Sequence, residues 1–513
     1  MSQVVVIGAG IGGLTAAARL AAQGHSVTVL EQAASVGGKL GTYERDGYVF
    51  DTGPSLLTMP QVFSDFFSQT GARLEEVVEL DRLEVACTYT FADGSTLAMP
   101  GRIEEIPGAI EAALGAGTGE QWEAFLADAR RAWDVAEVPF LRSPIDSATI
   151  ARLAASPANL TAIAPWRSLR SFGSKRLRDP RLRAMLDRYA TYTGSDPRRA
   201  PSALATVPYA EQAFGSWYVR GGLRALGAAV LERALEHGVT VRTGVRVAQI
   251  SQAGGAVIGV VTADGLRIPA EIVVANADAE RVYGDLLTGP IAKRELRRLR
   301  RASPSLAGFV LLLALENLPP ELTDRAQHHR VMFPADYDDE FDSVFGTGPH
   351  ARWSGGGGPR PVPDPTIYVT APQDSAIVPA GKAEGDPTSG AWFVLVNAPR
   401  HDPASGQDWD SPGLAKAYGD HVLTVMARRG LDVRPYLRWM ETRTPADLER
   451  ATLAPGGSIY GTSSNGSQSA FQRPANRSPI EGLYLVGGSS HPGGGLPLVA
   501  LSAQIVAEMI GQV

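Results

Sequence analysis

The sequence has a single cysteine, Cys87, among its 513 residues. An intrachain disulfide is therefore excluded, and so are CxxC redox motifs and cysteine-based zinc clusters. We expect Cys87 to be a small buried residue in a strand over 84–91. The sequence also shows no Ser/His/Asp triad and no metal-ligand motif.

Long hydrophobic runs and an excess of positive charge are missing as well. The longest apolar stretch, 306–315, is shorter than the about 20 residues that a transmembrane helix needs. The start of the chain is interrupted by glycines and has no basic leader, which predicts a cytoplasmic protein. A net charge of -6 disfavours nucleic-acid binding. The composition, with 44% hydrophobic and 20% charged residues, is typical of a globular protein long enough for two or more domains.

A strand–glycine loop–helix–strand pattern begins at residue 4. The apolar run 4–7 predicts a buried parallel strand, followed by a helix over 14–23 and a second strand over 27–30. Between the first strand and the helix lies a Gly-x-Gly-x-x-Gly pattern made of Gly8, Ala9, Gly10, Ile11, Gly12 and Gly13. Its glycines allow a tight turn, the approach of a pyrophosphate to the backbone, and close packing of the helix on the strand.

Glu31 ends the second strand, where a carboxylate accepts hydrogen bonds from the ribose hydroxyls of an adenosine. This order of elements predicts a dinucleotide site; the alternative is a glycine-rich turn without a ligand. A second glycine pair and Lys39 follow, and Asp-Thr-Gly-Pro-Ser comes at 51–55. NAD domains do not need these additions, so we favour FAD. Lys39 either neutralises phosphate charge or is solvated.

The C-terminal end has a second strand–glycine–helix segment. Residues 482–486 predict a strand, Gly487 and Gly488 follow it, and a final helix is expected over 499–510. A helix N-terminus attracts anionic or carbonyl groups. If both glycine segments hold one flavin, the two ends of the chain must meet in one sheet.

With these motifs the chain resembles the bacterial carotenoid desaturase family, typified by phytoene desaturase. The resemblance covers the whole chain and includes the segments 4–32, 51–55, 217–223, 273–278 and 483–497. It implies an α/β fold with a Rossmann-like FAD-binding domain of the flavin amine oxidase type, assembled from discontinuous segments, a mixed-sheet substrate domain and a helical, membrane-facing region. The C-terminal motif that is usual in the family is closer to Gly-Ala-Gly-Thr-His-Pro-Gly-Ala-Gly. The departures at 488–490 and 494 keep small residues beside the flavin, so they bear on the substrate more than on the cofactor.

The motifs and the resemblance together assign the FAD-contacting residues. Val247 is placed at the adenine end by the resemblance, and Asn276 ends a strand near the first glycine loop. The other expected contacts are Gly8, Ala9, Gly10, Ile11, Gly12, Gly13, Glu31, Gln32, Gly38, Lys39, Gly53, Pro54, Ser55, Leu56, Gly487, Gly488, Gly495, Leu496, Pro497 and Leu498.

The domain boundaries follow from changes in pattern. The cofactor domain is expected to comprise 1–95, 216–300 and 476–513, with a mainly helical region at 96–215. Residues 301–475 are expected to alternate strands and loops and to form the floor of a substrate chamber. The glycine- and proline-rich stretch 346–365 is expected to be a mobile or disordered loop that buries little apolar surface.

Two basic clusters suggest a membrane-facing surface. The first cluster extends from Arg167 to Arg188, and aromatic residues lie between its basic residues. Its other members are Arg170, Lys175, Arg176, Arg178, Arg181 and Arg183. The second covers 293–301. Such clusters attract anionic lipid headgroups, and carotenoids dissolve in membranes. We favour membrane contact for the first cluster, which places the protein on the inner membrane face, and solvated, ion-paired helix faces for the second.

The resemblance also defines the chemistry. In a desaturase one hydrogen leaves as hydride to the flavin and the neighbouring one as a proton, so a strong acid–base pair is not obligatory. His491 is the candidate base; the alternative is that it orders the loop before the last helix. Glu211 is a weaker candidate, and Arg220 is expected to be a structural or cofactor contact. No second nucleotide fingerprint is present, so oxygen or a membrane quinone is the expected electron acceptor.

Other functions of the same fold stay open. A carotenoid isomerase would use reduced FAD without net oxidation, and an early-carotene phytoene desaturase would act on hydrocarbons. An amine oxidase would need an aromatic cage over the flavin, which the sequence does not reveal. A non-catalytic escort protein for prenylated GTPases would lack the flavin, and the complete segment 487–498 argues against it.

The segment 188–197 and the C-terminal glycine motif look more like the branch that desaturates an already coloured carotenoid at its 3,4 bond, beside a 1-hydroxyl group. Thr191, Thr193 or Ser195 could bind that hydroxyl; the alternative is that they cap a helix end. The favoured function from sequence is therefore FAD-dependent 1-hydroxycarotenoid 3,4-desaturation.

Overall fold

The computed structural model describes residues 1–145, 151, 153, 155–324, 328–353, 358–379, 388–466 and 469–513. Its strands are β1 (Gln3–Ile7), β2 (Ser26–Leu30), β3 (Thr42–Arg45), β4 (Tyr48–Asp51), β5 (Leu57–Thr58), β6 (Leu80–Arg82), β7 (Val85–Thr90), β8 (Thr96–Pro100), β9 (Ser216–Val219), β10 (Thr240–Arg242), β11 (Val247–Ala253), β12 (Ala256–Thr262), β13 (Arg267–Pro269), β14 (Ile272–Ala275), β15 (Ala307–Leu315), β16 (His329–Met332), β17 (Ile367–Thr370), β18 (Gly390–Ala398), β19 (Leu437–Arg443) and β20 (Leu483–Leu485).

The α-helices lie between and around these strands. They span Ile11–Ala22, Gln61–Gln69, Leu74–Val77, Ile106–Leu114, Thr118–Ala136, Pro157–Ile163, Leu169–Gly173, Pro180–Thr191, Thr206–Phe214, Leu223–Glu236, Ala279–Arg281, Pro290–Leu299, Tyr337–Phe345, Pro349–Trp353, Leu414–Arg428, Pro445–Thr452, Ser469–Gln472 and Leu496–Ile510. No helix among the described residues combines the length and the apolar character needed to cross a bilayer.

A five-stranded parallel sheet has the order β10-β2-β1-β14-β20. Its central strand β1 is apolar from Val4 to Ile7 because both faces are covered. The helices Ile11–Ala22, Leu223–Glu236 and Leu496–Ile510 contribute to one core cluster on this sheet, and the antiparallel strands β11 and β12 contribute to another. The chain ends therefore meet in one sheet, as expected, because β20 pairs with β14 and β14 with β1.

A seven-stranded mixed sheet has the order β19-β15-β18-β17-β16-β7-β8, with β16 and β7 parallel and the other pairs antiparallel. The long apolar stretch of the sequence forms β15, whose nine residues are all buried. Cys87 lies buried in β7, as expected. The assignment of 85–95 to the cofactor domain is wrong, because β7 bonds to the distant strand β16, a pairing that local pattern does not reveal.

The substrate region contains more helix than the sequence pattern indicated. Helices Tyr337–Phe345, Leu414–Arg428 and Pro445–Thr452 accompany the strands of 301–475, so the expectation of strands and loops alone is wrong. In the stretch 346–365, residues 354–357 lie outside the described residues. The flanking part forms the helix Pro349–Trp353 and buries Val362 completely, so the expectation of little apolar burial is wrong there.

Candidate cofactor and substrate site

The first glycine loop connects β1 to the helix Ile11–Ala22, which begins at Gly10. Gly8 has a φ of 94°, a conformation that favours glycine, and a Cβ built there would lie 2.6 Å from the carbonyl oxygen of Asn276. A Cβ at Gly13 would collide with the carbonyl oxygen of Gly8. These contacts explain why the loop lacks side chains at these positions and why helix, strand and loop approach so closely.

Asn276 follows β14 and lies against this loop. A Cβ at Gly10 would come within 2.8 Å of Asn276 Oδ1, and one at Gly12 within 2.8 Å of Asn276 Nδ2. Asn276 Nδ2 also donates to the carbonyl oxygen of Val486 at 3.2 Å. The carboxyl ends of β1, β14 and β20 therefore converge at one edge of the sheet, the position where open α/β sheets bind ligands.

Glu31 lies buried at the end of β2. Its Oε2 accepts from the backbone N–H of Ala9 at 2.7 Å and its Oε1 from that of Ala33 at 2.8 Å. A carboxylate oxygen accepts more than one hydrogen bond, so Glu31 keeps acceptor capacity for ribose hydroxyls. The backbone N–H of Val245 donates to the carbonyl oxygen of Glu31 at 2.8 Å, which brings the chain just before Val247 to this end of the sheet. Gln32 beside it is half-buried.

The second glycine pair lies on the first loop. The N–H of Gly37 donates to Ala9 O at 2.9 Å, and a Cβ at Gly38 would lie 3.4 Å from the Cα of Gly10. Lys39 Nζ donates to the carbonyl oxygens of Ser458 at 3.0 Å and Ile459 at 2.6 Å. Lys39 is therefore held by protein carbonyls and is not a solvated side chain.

The segment 53–56 packs beside Lys39 and leads toward the mixed sheet. A Cβ at Gly53 would collide with the carbonyl oxygen of Lys39. Ser55 Oγ lies 3.0 Å from Tyr368 Oη, while Pro54 is exposed and Leu56 is half-buried. This loop therefore joins the cofactor-binding edge to strand β17.

The C-terminal loop completes the edge. A Cβ at Gly487 would collide with Asn276 Nδ2, and Gly488 O accepts from Arg473 Nη1 at 2.5 Å. The last helix begins at Gly495, where a Cβ would meet nothing within 4 Å, and Leu496, Pro497 and Leu498 form its first turn. Sequence reasoning missed the buried Arg473, which lies outside the glycine motifs.

These residues fit FAD. Both glycine loops lie so close to Asn276 that added side chains would collide with it. Two helices have glycine N-caps beside the carboxyl ends of the sheet. Gly8, Gly10, Gly13 and Glu31 would hold the adenosine diphosphate half, and Gly487, Gly488 and residues 496–498 the flavin half. FAD, when bound, would supply the acceptor for a hydride, that is, for two electrons and one proton.

A buried ion cluster lies behind this edge. Asp278 faces a cavity of about 220 Å³, also lined by Ser458, Gly461 and Ser489, and its Oδ2 has no hydrogen-bond partner among the described residues. Burial raises the pKa of Asp278, and the charge of Lys39 opposes this shift. Burial lowers the pKa of Lys39 to about 8.

His491 lies in the C-terminal loop and is buried. Its Nε2 is 2.9 Å from the carbonyl oxygen of Ser143, which can only accept, so Nε2 carries the proton. Its carbonyl oxygen accepts from Asn476 Nδ2 and Ser502 Oγ, both at 2.8 Å. Burial lowers the pKa of the imidazole to about 4. This geometry favours the interpretation in which His491 orders the loop before the last helix.

Glu211 belongs to a buried group of tyrosines around Arg188. Glu211 Oε1 accepts from Tyr189 Oη at 2.7 Å and Oε2 from Tyr192 Oη at 2.9 Å. Burial, followed by the charge of Glu211, raises the pKa of Tyr189 well above its ordinary value, so this phenol stays protonated and donates. The prediction that the basic cluster extends to Arg188 as a surface residue is wrong, because Arg188 is buried against Tyr89 and Tyr368 of the mixed sheet.

The hydroxyls expected to bind a substrate hydroxyl have local partners instead. Thr191 Oγ1 donates to Arg188 O at 2.7 Å, and Thr193 Oγ1 donates to Ala190 O at 3.1 Å. Ser195 Oγ donates to Thr193 O at 3.0 Å. Capping of the helix end, the alternative interpretation, accounts for these contacts. Arg220 pairs with Asp81 at 2.7 Å, which is a structural role.

The first basic cluster is divided by its ion pairs. Arg170 pairs with Asp187 and Asp338, Arg176 with Asp128, and Arg181 with Asp179, at distances of 2.6 to 2.9 Å. Lys175, Arg178 and Arg183 are exposed and have no carboxylate partner in the described part of the chain. Trp166 nearby is 68% exposed.

Aromatic side chains missed by sequence reasoning lie near the C-terminal glycines. A Cβ at Gly494 would collide with the ring of Tyr460, so this ring packs on the glycine motif. Burial raises the pKa of Tyr460 to about 12, followed by the effect of Tyr368. Only tertiary packing brings β17 and the segment 458–462 to this motif.

Comparison with known proteins places this geometry among flavoproteins. The model of the family described as flavin containing amine oxidoreductase matches residues 11–335. The chain is 33% identical to 4,4'-diapolycopene oxygenase of Methylomonas sp, over 99% of this chain and 98% of that protein. It is 33% identical to hydroxyneurosporene desaturase of Rubrivivax gelatinosus, over 99% and 93%. It is 31% identical to 4,4'-diaponeurosporene oxygenase of Staphylococcus aureus, over 99% and 97%.

Solved structures agree at the level of the fold. This chain superposes on putrescine oxidase bound to putrescine with a TM-score of 0.66 at 14% sequence identity. The superposition covers 99% of this chain and 98% of that chain. An oxidoreductase from Methanosarcina mazei has a TM-score of 0.63 at 15% identity, covering 99% and 100%. At these identities the likeness shows the fold alone.

Proposed function

The chain belongs to the flavin-containing amine oxidoreductase family, among its carotenoid desaturase-like members, and on that premise we propose that it oxidises an acyclic carotenoid. The FAD-dependent oxidoreductase expected from the sequence is confirmed, as is the flavin amine oxidase-like fold. The proposal of a carotenoid substrate rests on full-length similarity to three proteins, each of which is named after a carotenoid.

For the reaction we propose 1-hydroxycarotenoid 3,4-desaturation. A hydroxyneurosporene desaturase among the relatives supports it, together with the small residues of the C-terminal motif. A second candidate is oxidation of the carotenoid end group, because two relatives are named oxygenases. Phytoene desaturation and isomerisation of the same polyene are the remaining alternatives.

The chain's own residues orient the substrate and exclude water. The face of the mixed sheet toward the helical region carries Tyr89, Phe91 and Phe333, whose rings stack with centroids 5.5 to 6.3 Å apart. These rings are buried against the helical region, and we propose that this aromatic face borders the polyene. At neutral pH His491 is uncharged, and its unprotonated Nδ1 could hold the proton lost from the carbon chain. Glu211 accepts hydrogen bonds from Tyr189 and Tyr192, so it fixes these two phenols and is not free to take that proton directly.

We further propose that the protein collects its substrate at an anionic membrane surface through Lys175, Arg178 and Arg183, with Trp166 entering the interface. This would place it on the inner membrane face. Oxygen or a membrane quinone is the proposed electron acceptor. Reduction of added quinone or oxygen by the carotenoid-reduced enzyme would support this, and strict dependence on NADP+ in anaerobic, quinone-free assays would contradict it.

Pigment analysis tests the reaction. The gene would be expressed in cells that accumulate phytoene, 1-hydroxyneurosporene or diapolycopene, and the pigments separated by chromatography with mass detection under ¹⁸O₂. A loss of two hydrogens from the hydroxylated pigment supports 3,4-desaturation. Incorporation of ¹⁸O into diapolycopene supports the oxygenase, and conversion of phytoene alone contradicts both. A product of unchanged mass would indicate an isomerase.

A further inference from the structure

Arg188 is a buried cation without a directly bound carboxylate. The residue is only 7% exposed. Its Nη1 donates to Tyr89 Oη at 3.1 Å and its Nη2 to Tyr192 Oη at 2.5 Å. Within the described ranges no carboxylate lies within ion-pair distance of it, and Glu211 is reached only through the phenols of Tyr189 and Tyr192. Burying a charge without direct pairing is costly, so its presence calls for a use beyond packing.

Aromatic rings enclose the guanidinium on several sides. The centroids of Tyr89, Tyr189, Tyr192 and Tyr368 lie 5.0 to 5.9 Å from its central carbon. The rings attract the cation and present apolar surface next to it. The group therefore combines a hydrocarbon-binding wall with one strong hydrogen-bond donor, since arginine has only donors and retains N–H groups beyond those bound to the two phenols.

This group is connected to the cofactor edge by a single ring. Tyr368, in β17, contacts Arg188 on one side, and its Oη lies 3.0 Å from Ser55 Oγ on the other. Ser55 follows Gly53 in the loop that packs on Lys39. An atom bound by Arg188 would therefore lie one aromatic ring away from the loop at the cofactor-binding edge.

We propose that Arg188 binds an oxygen atom, of a hydroxyl or a carbonyl, on the end group of the carotenoid and thereby selects oxygenated over hydrocarbon end groups. The inference rests on the proposed function, because it specifies the substrate class of that same site. A donor-only cation needs an acceptor oxygen. A hydrocarbon end group would leave the buried donor without that acceptor, so the site rejects it.

The test compares two substrates that differ only in the oxygen. Detergent-dispersed 1-hydroxyneurosporene and neurosporene are given to the FAD-loaded enzyme, and kcat/KM is measured for each with wild type, Arg188→Met and Arg188→Lys. We expect wild type to prefer the hydroxylated pigment. Arg188→Met should lower kcat/KM for the hydroxylated pigment about 10- to 100-fold. The value for neurosporene should stay unchanged or rise, because the variant has no unmatched donor beside the hydrocarbon end group. Arg188→Lys, which keeps the charge, should restore part of the preference.

Controls separate selection from structural damage. Arg130→Met, on an exposed position of the helix Thr118–Ala136, should leave the ratio of the two kcat/KM values unchanged. FAD content and melting temperature report on folding. Equal losses for both substrates in Arg188→Met, or an unchanged ratio, would overturn the role of Arg188. Wild type that converts neither pigment would instead overturn the proposed function. If Arg188→Met does not fold, the ratio of the two kcat/KM values is measured with Arg188→Lys and Tyr192→Phe, and an unchanged ratio in both overturns the role of Arg188.

Discussion

Asn276 Nδ2 donates to the carbonyl oxygen of Val486 at 3.2 Å, a contact between residues that follow two neighbouring strands, β14 and β20. The same amide lies where side chains on Gly10 or Gly12 would collide with it. One asparagine therefore spaces the two glycine loops, and the dinucleotide edge depends on a residue outside both glycine motifs.

Asn276→Ala should weaken FAD binding. The variant loses the hydrogen bond to Val486 and leaves space between the loops, for a destabilisation of about 1–3 kcal/mol. Titration of the apoprotein with FAD, followed by flavin fluorescence, measures the dissociation constant. A value equal to that of wild type would show that Asn276 does not space the loops.

Gly10→Val should abolish FAD binding. A Cβ at this position lies 2.8 Å from Asn276 Oδ1, and the branched side chain would also fill the path of the pyrophosphate. The matched control is Gly108→Ala in the helix Ile106–Leu114, where a Cβ meets nothing within 4 Å. Gly108→Ala should stabilise the helix by about 0.5–1 kcal/mol without changing flavin content. Stoichiometric FAD in purified Gly10→Val would make the assignment wrong.

His491→Gln should lose less stability than wild type as the pH falls. Burial lowers the pKa of His491 from 6.5 to about 4, so the unfolded chain binds the proton first and wild type loses stability as pH falls from about 6.5 to 4. The full loss attributable to this group is on the order of 3 kcal/mol, of which about 2 kcal/mol falls between pH 7.5 and pH 5. Urea unfolding at pH 7.5 and pH 5 measures it as the difference between wild type and variant.

That difference isolates His491 from the buried acids. Burial raises the pKa of Asp51 to about 6 and that of Glu340 to about 7, which has the opposite effect on stability, but both groups are common to the two proteins. If His491 is the base rather than a loop residue, kcat would fall steeply in His491→Gln while stability at pH 7.5 stays close to wild type. If it orders the loop, stability and kcat should fall together.

Charge reversal of the unpaired basic residues should release the protein from anionic vesicles. Lys175→Glu, Arg178→Glu and Arg183→Glu together remove three cations worth about 1 kcal/mol each near such a surface, so affinity should fall at least on the order of 100-fold. The control reverses Arg294, Arg297 and Arg301 of the second cluster. Sedimentation with phosphatidylserine vesicles at 50 and 500 mM salt checks it, since exposed charges are screened beyond about 8 Å at physiological ionic strength.

Flavin content should be unchanged in both triple variants, because the altered side chains are exposed and would contact solvent in either form. Salt-independent sedimentation of all three proteins would indicate apolar insertion alone and would contradict the electrostatic model. Equal loss of binding in the two triple variants would show that total charge, not the first cluster, controls attachment.

Local sequence order was sufficient to identify the cofactor-binding units. Gly8, Gly10, Gly13 and Glu31 stand at fixed spacings within one strand–helix–strand unit, and the requirement for close backbone approach is local, so these positions could be recognised from order alone. The meeting of the two chain ends followed from the need to hold one flavin with both glycine segments.

The surroundings of Arg188 and of the C-terminal glycine motif could be known only from the packing of distant segments. Arg188 has the same sequence context as the exposed arginines before it, yet helix Pro180–Thr191 turns it toward Tyr89 and Tyr368 on two strands of the mixed sheet. The placement of β7 beside β16 and of Tyr460 on Gly494 is likewise made by segments far apart in the chain. Such contacts depend on how separate elements pack, which neither periodicity nor spacing records.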